Sequence, residues 1–358
     1  MAGSLGFGSS DGLTIDPKFG PDRTLLFQCF SSLLKDQEAE VRAAAADNIA
    51  RMAQLGGQDC FASHIAPALP GLADDPVVEV RSKLAQTLMD CCDESICTTL
   101  TDQVILSDFK PLLEGFLQDE FAEVQLHVLT KLSNISRLLS KMDAVVGSVL
   151  AMTKAPNWRV REAVGRLLPH LADARGVSFF EDHLREPWLR FLLDQVADVR
   201  SACVAGMPHL LRVAGPEWLQ REIFPHYVRI YDESSSYLTR ITILRSFAAL
   251  ASADPDAPIS ATKSLESGGE PLDSESPASY AGISLPLLED VVSLMLRGLD
   301  DRVANVRMVS AKGLAGMLSK CDASVLNSKV RSGLSTRANE DEDDDCRYFS
   351  QLALDSCA

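Results

Sequence analysis

Positions 41, 44, 45, 48, 49 and 52 carry Val, Ala, Ala, Asn, Ile and Met. At 3.6 residues per turn this spacing lays one predominantly apolar stripe along a helix. The next stretch carries two such patterns, predicting one helix over Cys60 to Ala73 and another over Val77 to Cys92. They flank the turn Asp74-Asp75-Pro76, and Pro76 is expected in the first turn of the second helix, where its missing N–H costs nothing. No segment alternates apolar and polar residues as a half-buried strand would. A pair of singly striped helices cannot cover its own apolar face, so neighbouring pairs must stack.

The pattern recurs. An Asp, four variable residues, Val-Arg and an Ala/Leu-rich run appear at Asp36 to Val41-Arg42, Asp75 to Val80-Arg81, Asp194 to Val199-Arg200 and Asp301 to Val306-Arg307. Weaker copies are Asp119 to Val124-Gln125, Ala155 to Val160-Arg161, Asp232 to Tyr237-Leu238 and Asp341 to Cys346-Arg347. Successive anchors lie 39, 44, 36, 39, 38, 69 and 40 residues apart. A period near 40 with two helices per unit is the spacing of HEAT and armadillo repeats. The expected fold is therefore all-α: a HEAT-repeat (armadillo-like) superhelical solenoid of about eight helix pairs. Residues 1–21 are expected to be a disordered leader, 22–252 repeats one to six and 286–358 repeats seven and eight. The long interval holds a Ser-, Pro- and acid-rich insertion over 253–285, expected to be a disordered linker, with Ser276-Pro277 as a candidate phosphorylation site.

The six-residue Asp-to-Arg spacing has a mechanical reading. The Asp can cap the second helix of its pair, and the Arg can reach an Asp of its own or an adjacent turn, giving a ladder of charge-assisted bonds. The acidic run Glu340 to Asp345 suits the N-terminus of the last helix, with contact to a basic partner as the alternative. Trp188 and Trp218 are expected to pack between repeats.

Charge and composition narrow the partners. With 34 Lys+Arg against 50 Asp+Glu the formal net charge is −16 and no long basic patch offsets it, so no nucleic-acid or membrane partner is expected. Nine scattered cysteines, with Cys91, Cys92 and Cys97 as the one cluster, fit small buried hydrophobes in a reducing compartment. The N-terminus has neither the basic nor the apolar region of a signal peptide, and cytoplasm, with nucleus as a second compartment, is the expected location.

Two common catalytic motifs are missing: the chain contains no Gly-x-x-x-x-Gly-Lys loop and no His-Glu-x-x-His. The six histidines never fall at i, i+3 or i+4 spacing, and His170 and His209, each preceded by Pro, read as repeat consensus. A non-enzyme without cofactor or metal is expected.

Several stretches resemble the scaffold (A, 65-kDa) regulatory subunit family of protein phosphatase 2A. They are Glu38-Ala39-Glu40-Val41-Arg42, Asn157-Trp158-Arg159-Val160-Arg161, Gly176-Val177-Ser178-Phe179-Phe180, Glu217-Trp218, Tyr237-Leu238-Thr239-Arg240, Val303-Ala304-Asn305-Val306-Arg307 and Arg347-Tyr348-Phe349. The likeness is to the C-terminal eight repeats of that longer scaffold. It implies a non-catalytic subunit that binds a Ser/Thr protein phosphatase catalytic subunit along the turns between paired helices. The contact residues it implies are Trp158, Arg159, Tyr237, Leu238, Arg240, Val303, Asn305, Asp345 and Tyr348. Ala197 stands where the family carries an aromatic. Regulatory subunits dock mainly on repeats that precede these, so the resemblance implies a weakened regulatory-subunit contact. The regulatory subunit of protein phosphatase 4 has repeats of the same kind, which leaves the catalytic partner as 2A or 4 type. Two other readings stand beside this one: a transport or assembly adaptor holding cargo peptides in a HEAT groove, and a truncated scaffold acting as a decoy. Leu25, Leu26, Phe30, Leu33 and Leu34 form a helix face with no preceding repeat to cover it.

Overall fold

The computed structural model describes residues 20–250, 283–318 and 324–356. The expected leader and insertion, with Ser276, therefore lie almost wholly outside the described residues; helices already run from Gly20 and from Leu285. No strand occurs among the described residues. The chain forms two compact units, Met1–Val128 and Leu129–Ala358.

In the N-terminal unit, leading helix Gly20–Leu33 is followed by trailing helices Ala39–Ala46 and Ile49–Cys60. A second leading segment occupies 61–73, its trailing helix is Val78–Cys91, and a third leading segment spans 102–117. The first trailing helix buries Ala43, Ala46, Ala50 and Ala53 together with Ala45, Ile49 and Met52. Half of the predicted stripe is thus buried, as Ala45, Ile49 and Met52, while Ala44 is exposed and Val41 and Asn48 are half-buried along a groove with Phe30 and Leu33. Small alanines let the next helix approach closely, and that proximity selects the buried face. Of the predicted leading-helix face, Phe30 and Leu34 are buried, while Leu25, Leu26 and Leu33 remain exposed.

Among the described residues, the C-terminal unit repeats the hairpin five times. Its leading segments are Asp143–Ala151, 177–191, 216–233, Leu285–Leu299 and Ser324–Glu340; its trailing helices are Trp158–Arg175, Ala197–Ala214, Tyr237–Leu250, Ala304–Leu318 and Asp344–Asp355. Each of these trailing helices packs on the next. Gly176 (φ +88°) and Gly215 (φ +82°) end two of them in a backbone region that side chains disfavour, so the chain enters the following leading helix without a loop. Trp188, Phe180, Phe191, Tyr227 and Phe247 fill the core, and Trp218 is 7% exposed, in keeping with the packing expected of both tryptophans. Trp188 Nε1 donates to the Tyr227 hydroxyl at 2.7 Å and Trp218 Nε1 to Glu181 at 2.6 Å.

The Asp–Arg spacing builds a ladder. Arg42, Arg81, Arg161, Arg240 and Arg307 each grip the Asp of the following turn (Asp75, Asp119, Asp194, Asp301 and Asp341) through Nε and Nη2, at 2.6 to 3.2 Å. Nη1 of the same side chain donates back to its own turn, to the carbonyls of Asp36, Asp75, Ala155, Ser234 and Asp301. A planar guanidinium supports all of these bonds at once. Burial by itself would raise the Asp301 pKa, but the Arg240 guanidinium and the Val303 amide outweigh it and hold the carboxyl below the usual range.

Three details depart from the sequence expectation. The Asp does not cap the helix: Asp75 Oδ1 accepts the Val77 amide at 2.9 Å, as Asp194 does from Val196 and Asp301 from Val303, which shapes the turn before the helix starts. Pro76 accordingly sits in that turn, two residues ahead of helix Val78–Cys91. In the sixth copy the register is set by Ser234 and Arg240, because only Arg240 reaches Asp301; Asp232 pairs with Arg297 instead. The acidic run divides its labour, with Asp341 taking Arg307 and Asp343 capping the last helix at the Cys346 amide.

Arg240 and Asp301 are each 8% exposed. Arg240→Ala leaves a nearly buried carboxylate unpaired and is expected to cost about 3 kcal/mol. Arg240→Lys should recover less than half of that, because a point charge cannot chelate Asp301 while bonding Ser234. Urea denaturation of the three proteins checks both values.

Candidate partner-binding ridge

The ladder dictates what each turn shows to solvent. All five trailing helices of the C-terminal unit start three residues after the ladder turn position, at Trp158, Ala197, Tyr237, Ala304 and Asp344. Five residues after the turn, Val160, Val199, Thr239, Val306 and Cys346 point into the core. One residue further on lies the ladder arginine. At about 100° per residue, the third and fourth positions after the turn are left facing outward.

Six of the residues expected at the contact occupy these two positions. Trp158 is half-buried and Arg159 exposed, with the Arg159 guanidinium stacked 4.6 Å from the indole centroid. Asn157 fixes the pair by capping the Arg159 amide at 3.0 Å. Tyr237 and Leu238 are 40% and 44% exposed, and Asn305 and Asp345 are exposed at equivalent points. Tyr348, one turn later, is 62% exposed. Val303 is half-buried and gives its amide to Asp301. Arg240 stands apart: its guanidinium is consumed by Asp301 and Ser234, so its place in the structure is inside the ladder. Ala197 is exposed beside Asp198, leaving a gap in the apolar row.

The N-terminal unit carries a different row. The fourth position is glutamate in every turn (Glu40, Glu79 and Glu123), all exposed, next to exposed Val77 and Phe121. Sequence reading passed over these glutamates, although counting four residues from each ladder Asp finds them.

A second feature lies between trailing segments of the C-terminal unit. A cavity of about 350 Å³ is lined by Leu129, Glu162, Arg166, His170, Gly206 and His209 among others. The His170 and His209 rings meet edge to face with centroids 4.4 Å apart, so the matched Pro-His pairs are a contact between repeats. Burial, then the neighbouring His170 and Arg212, push His209 down to about 4, against the pull of Asp173, whose carboxylate lies 3.8 Å from Nε2. Burial lowers His170 as well. No group of His, Cys, Asp and Glu able to hold a metal occurs among the described residues. None of the described helices is long and apolar enough to cross a membrane.

These hairpins define a helical-repeat protein of the HEAT and armadillo type. Residues 22–92 match the family model described as PPP2R1A-like HEAT repeat. The chain is 32% identical over 125 residues to the beta isoform of the human serine/threonine-protein phosphatase 2A 65 kDa regulatory (A) subunit, an alignment spanning 33% of this chain and 20% of that relative. The chain thus matches about a fifth of the relative's length. Among solved structures, a chain of the Kap95p–RanGDP study superposes with a TM-score of 0.58 at 14% identity, over 95% of this chain and 43% of the other. Yeast importin-beta (Kap95p) gives 0.55 at 12% identity, over 94% and 42%. At such identities the structural likeness concerns the fold alone.

A folded-state His209 near pH 4 means that unfolding takes up a proton below the ordinary imidazole pKa of about 6.5. Stability is therefore full above that pH and falls between about 6.5 and 4, by at most about 1.4 kcal/mol per pH unit. The ladder carboxylates, lowered by their arginines, withdraw their share only below about pH 4. His209→Gln is expected to make the first limb shallower, leaving the share of His170, and to keep the second, as read from urea midpoints at pH 7, 5.5 and 4.5.

Proposed function

We propose that this protein is a non-catalytic HEAT-repeat scaffold that binds a Ser/Thr protein phosphatase catalytic subunit of the 2A or 4 type. The contact is the row of helix starts in the C-terminal unit: Trp158 and Arg159, then Tyr237 and Leu238, then Val303 and Asn305, then Asp345 and Tyr348. Arg240 lies beneath this row and keeps its repeats in register. The observation that carries the reading is the stacked Trp158–Arg159 pair, held at a helix start by Asn157 and partly open to solvent. Tryptophan and arginine dominate binding energy at protein interfaces, since each offers a large flat surface at little entropic cost, and a pre-stacked pair loses little freedom on docking. The partial match to a phosphatase 2A regulatory subunit supports the choice of partner class.

The test is a binding titration of the folded full chain against a phosphatase 2A-type catalytic subunit. The Trp158→Ala/Arg159→Ala variant is titrated beside it, with circular dichroism confirming that both are folded. Truncating such an anchor costs about 2–4 kcal/mol, so binding should weaken by roughly 30-fold or more. Absence of binding by the intact chain, or equal binding by the variant, refutes the reading and favours an adaptor that holds peptides elsewhere on the repeats.

A further inference from the structure

Helices Trp158–Arg175 and Ala197–Ala214 meet where their residues are smallest. A Cβ added at Gly165 would lie 3.2 Å from the Ala202 Cβ, and one at Gly206 would lie 2.9 Å from Pro169 and from the Trp188 indole. Beside this tight seam, Ala163, Ala202 and Ala205 are too short to fill the space that the helices leave. The result is the cleft of about 350 Å³ already described, which lies wholly within the C-terminal unit. Buried Leu129 and Leu167 give it apolar walls, and His170 and His209 contribute their edge-to-face rings. Thr130 and Ala205 line it and are exposed, so the cleft opens to solvent.

The chemistry of the lining narrows what can enter. Glu162 and Arg166 are its two formally charged residues, and they pair with each other, which leaves the lining without an unpaired charge. Burial favours the uncharged form of both imidazoles, against the pull of Asp173. An ionised ligand would therefore give up its hydration and gain no counter-charge, a cost that a neutral ligand escapes. Each neutral imidazole offers one N–H donor and one bare nitrogen acceptor, and its ring accepts a second ring edge to face.

Space sets the size. A dry cavity of about 150 Å³ already accommodates benzene, and this cleft has more than twice that volume. Two fused rings fit, and the volume falls within the range of about 300–1,000 Å³ found for small-ligand sites.

We propose that this cleft binds an uncharged aromatic group of one or two rings, stacked on the His170–His209 pair and hydrogen-bonded to it through an N–H or O–H of its own. A free heteroaromatic molecule and a tryptophan side chain of a partner share this chemistry. The site uses the flanks of the trailing helices, not their starts, and is independent of the ridge.

The test is a titration of the folded full chain at pH 7.5, followed by NMR of the six histidine rings, with His170→Gln and His209→Gln assigning the two signals of interest. Indole represents the free molecule and N-acetyl-tryptophanamide the side chain. Saturable shifts of His170 and His209 are expected with indole, at a dissociation constant of about 1 mM, while His64, His127, His183 and His226 stay in place. Indole-2-carboxylate, which has the same rings and a negative charge, should bind at least tenfold more weakly. Ala205→Phe fills the cleft from an exposed position and should weaken indole binding at least tenfold. Thr130→Phe blocks it from the preceding repeat with the same result, and circular dichroism confirms the fold of each variant. Trp158→Ala/Arg159→Ala should bind indole as the unaltered chain does.

Equal or tighter binding of N-acetyl-tryptophanamide assigns the site to a partner's tryptophan, and binding of indole alone assigns it to a free molecule. The proposal is overturned by the absence of a saturable shift with either compound, by equal shifts of all six histidines, by equal binding of the carboxylate, or by undiminished binding in the folded blocking variants.

Discussion

The fold depends on one bonding arrangement: a guanidinium that binds its own turn with one nitrogen and chelates the carboxylate of the next turn with two others. A lysine offers three donors from one point and cannot span both partners. The carboxylate has a second task, since Asp75, Asp194 and Asp301 also accept an amide two residues on and so shape the turn that launches each trailing helix. Turn geometry and repeat spacing are thereby coupled in a single side-chain pair. Because these pairs are largely shielded from water, desolvation offsets much of their attraction, and their main contribution is to register: a helix displaced by one residue would leave a charge unpaired and buried.

Consuming the arginines in this way leaves the outward positions free to differ. The third and fourth residues after each turn lie outside the ladder, and the two units use them differently. The N-terminal unit repeats glutamate beside Val77 and Phe121, whereas the C-terminal unit displays Trp158 with Arg159 and Tyr237 with Leu238. The family match at 22–92 falls in the acidic unit, and the aromatic row lies beyond it. A common ladder carrying two unlike surfaces is what a scaffold needs if separate regions meet separate chemistries, since function resides in sites displayed on a fold.

Polar groups buried elsewhere follow another rule. His170 against His209 places two titratable rings where charge is costly, and burial first, then the neighbouring ring, holds His209 neutral. Burial keeps the imidazoles neutral, so their contact holds as an apolar one near pH 7.

Sequence alone determined the repeat, its period near 40 residues and the six-residue Asp-to-Arg spacing, because helix stripes and ladder partners are local and recur in register. Resemblance to a scaffold family, rather than spacing, singled out Trp158, Tyr237, Leu238, Asn305 and Asp345, which lie at helix starts. Tertiary structure widened the buried face of the first trailing segment beyond the predicted stripe, because Ala43, Ala46, Ala50 and Ala53 are buried along with Ala45, Ile49 and Met52. It moved the sixth turn from Asp232 to Ser234, because only Arg240 could reach Asp301. It turned two matched Pro-His pairs into one contact. Those outcomes rest on which side chains meet across repeats, a distance that no count along the chain contains.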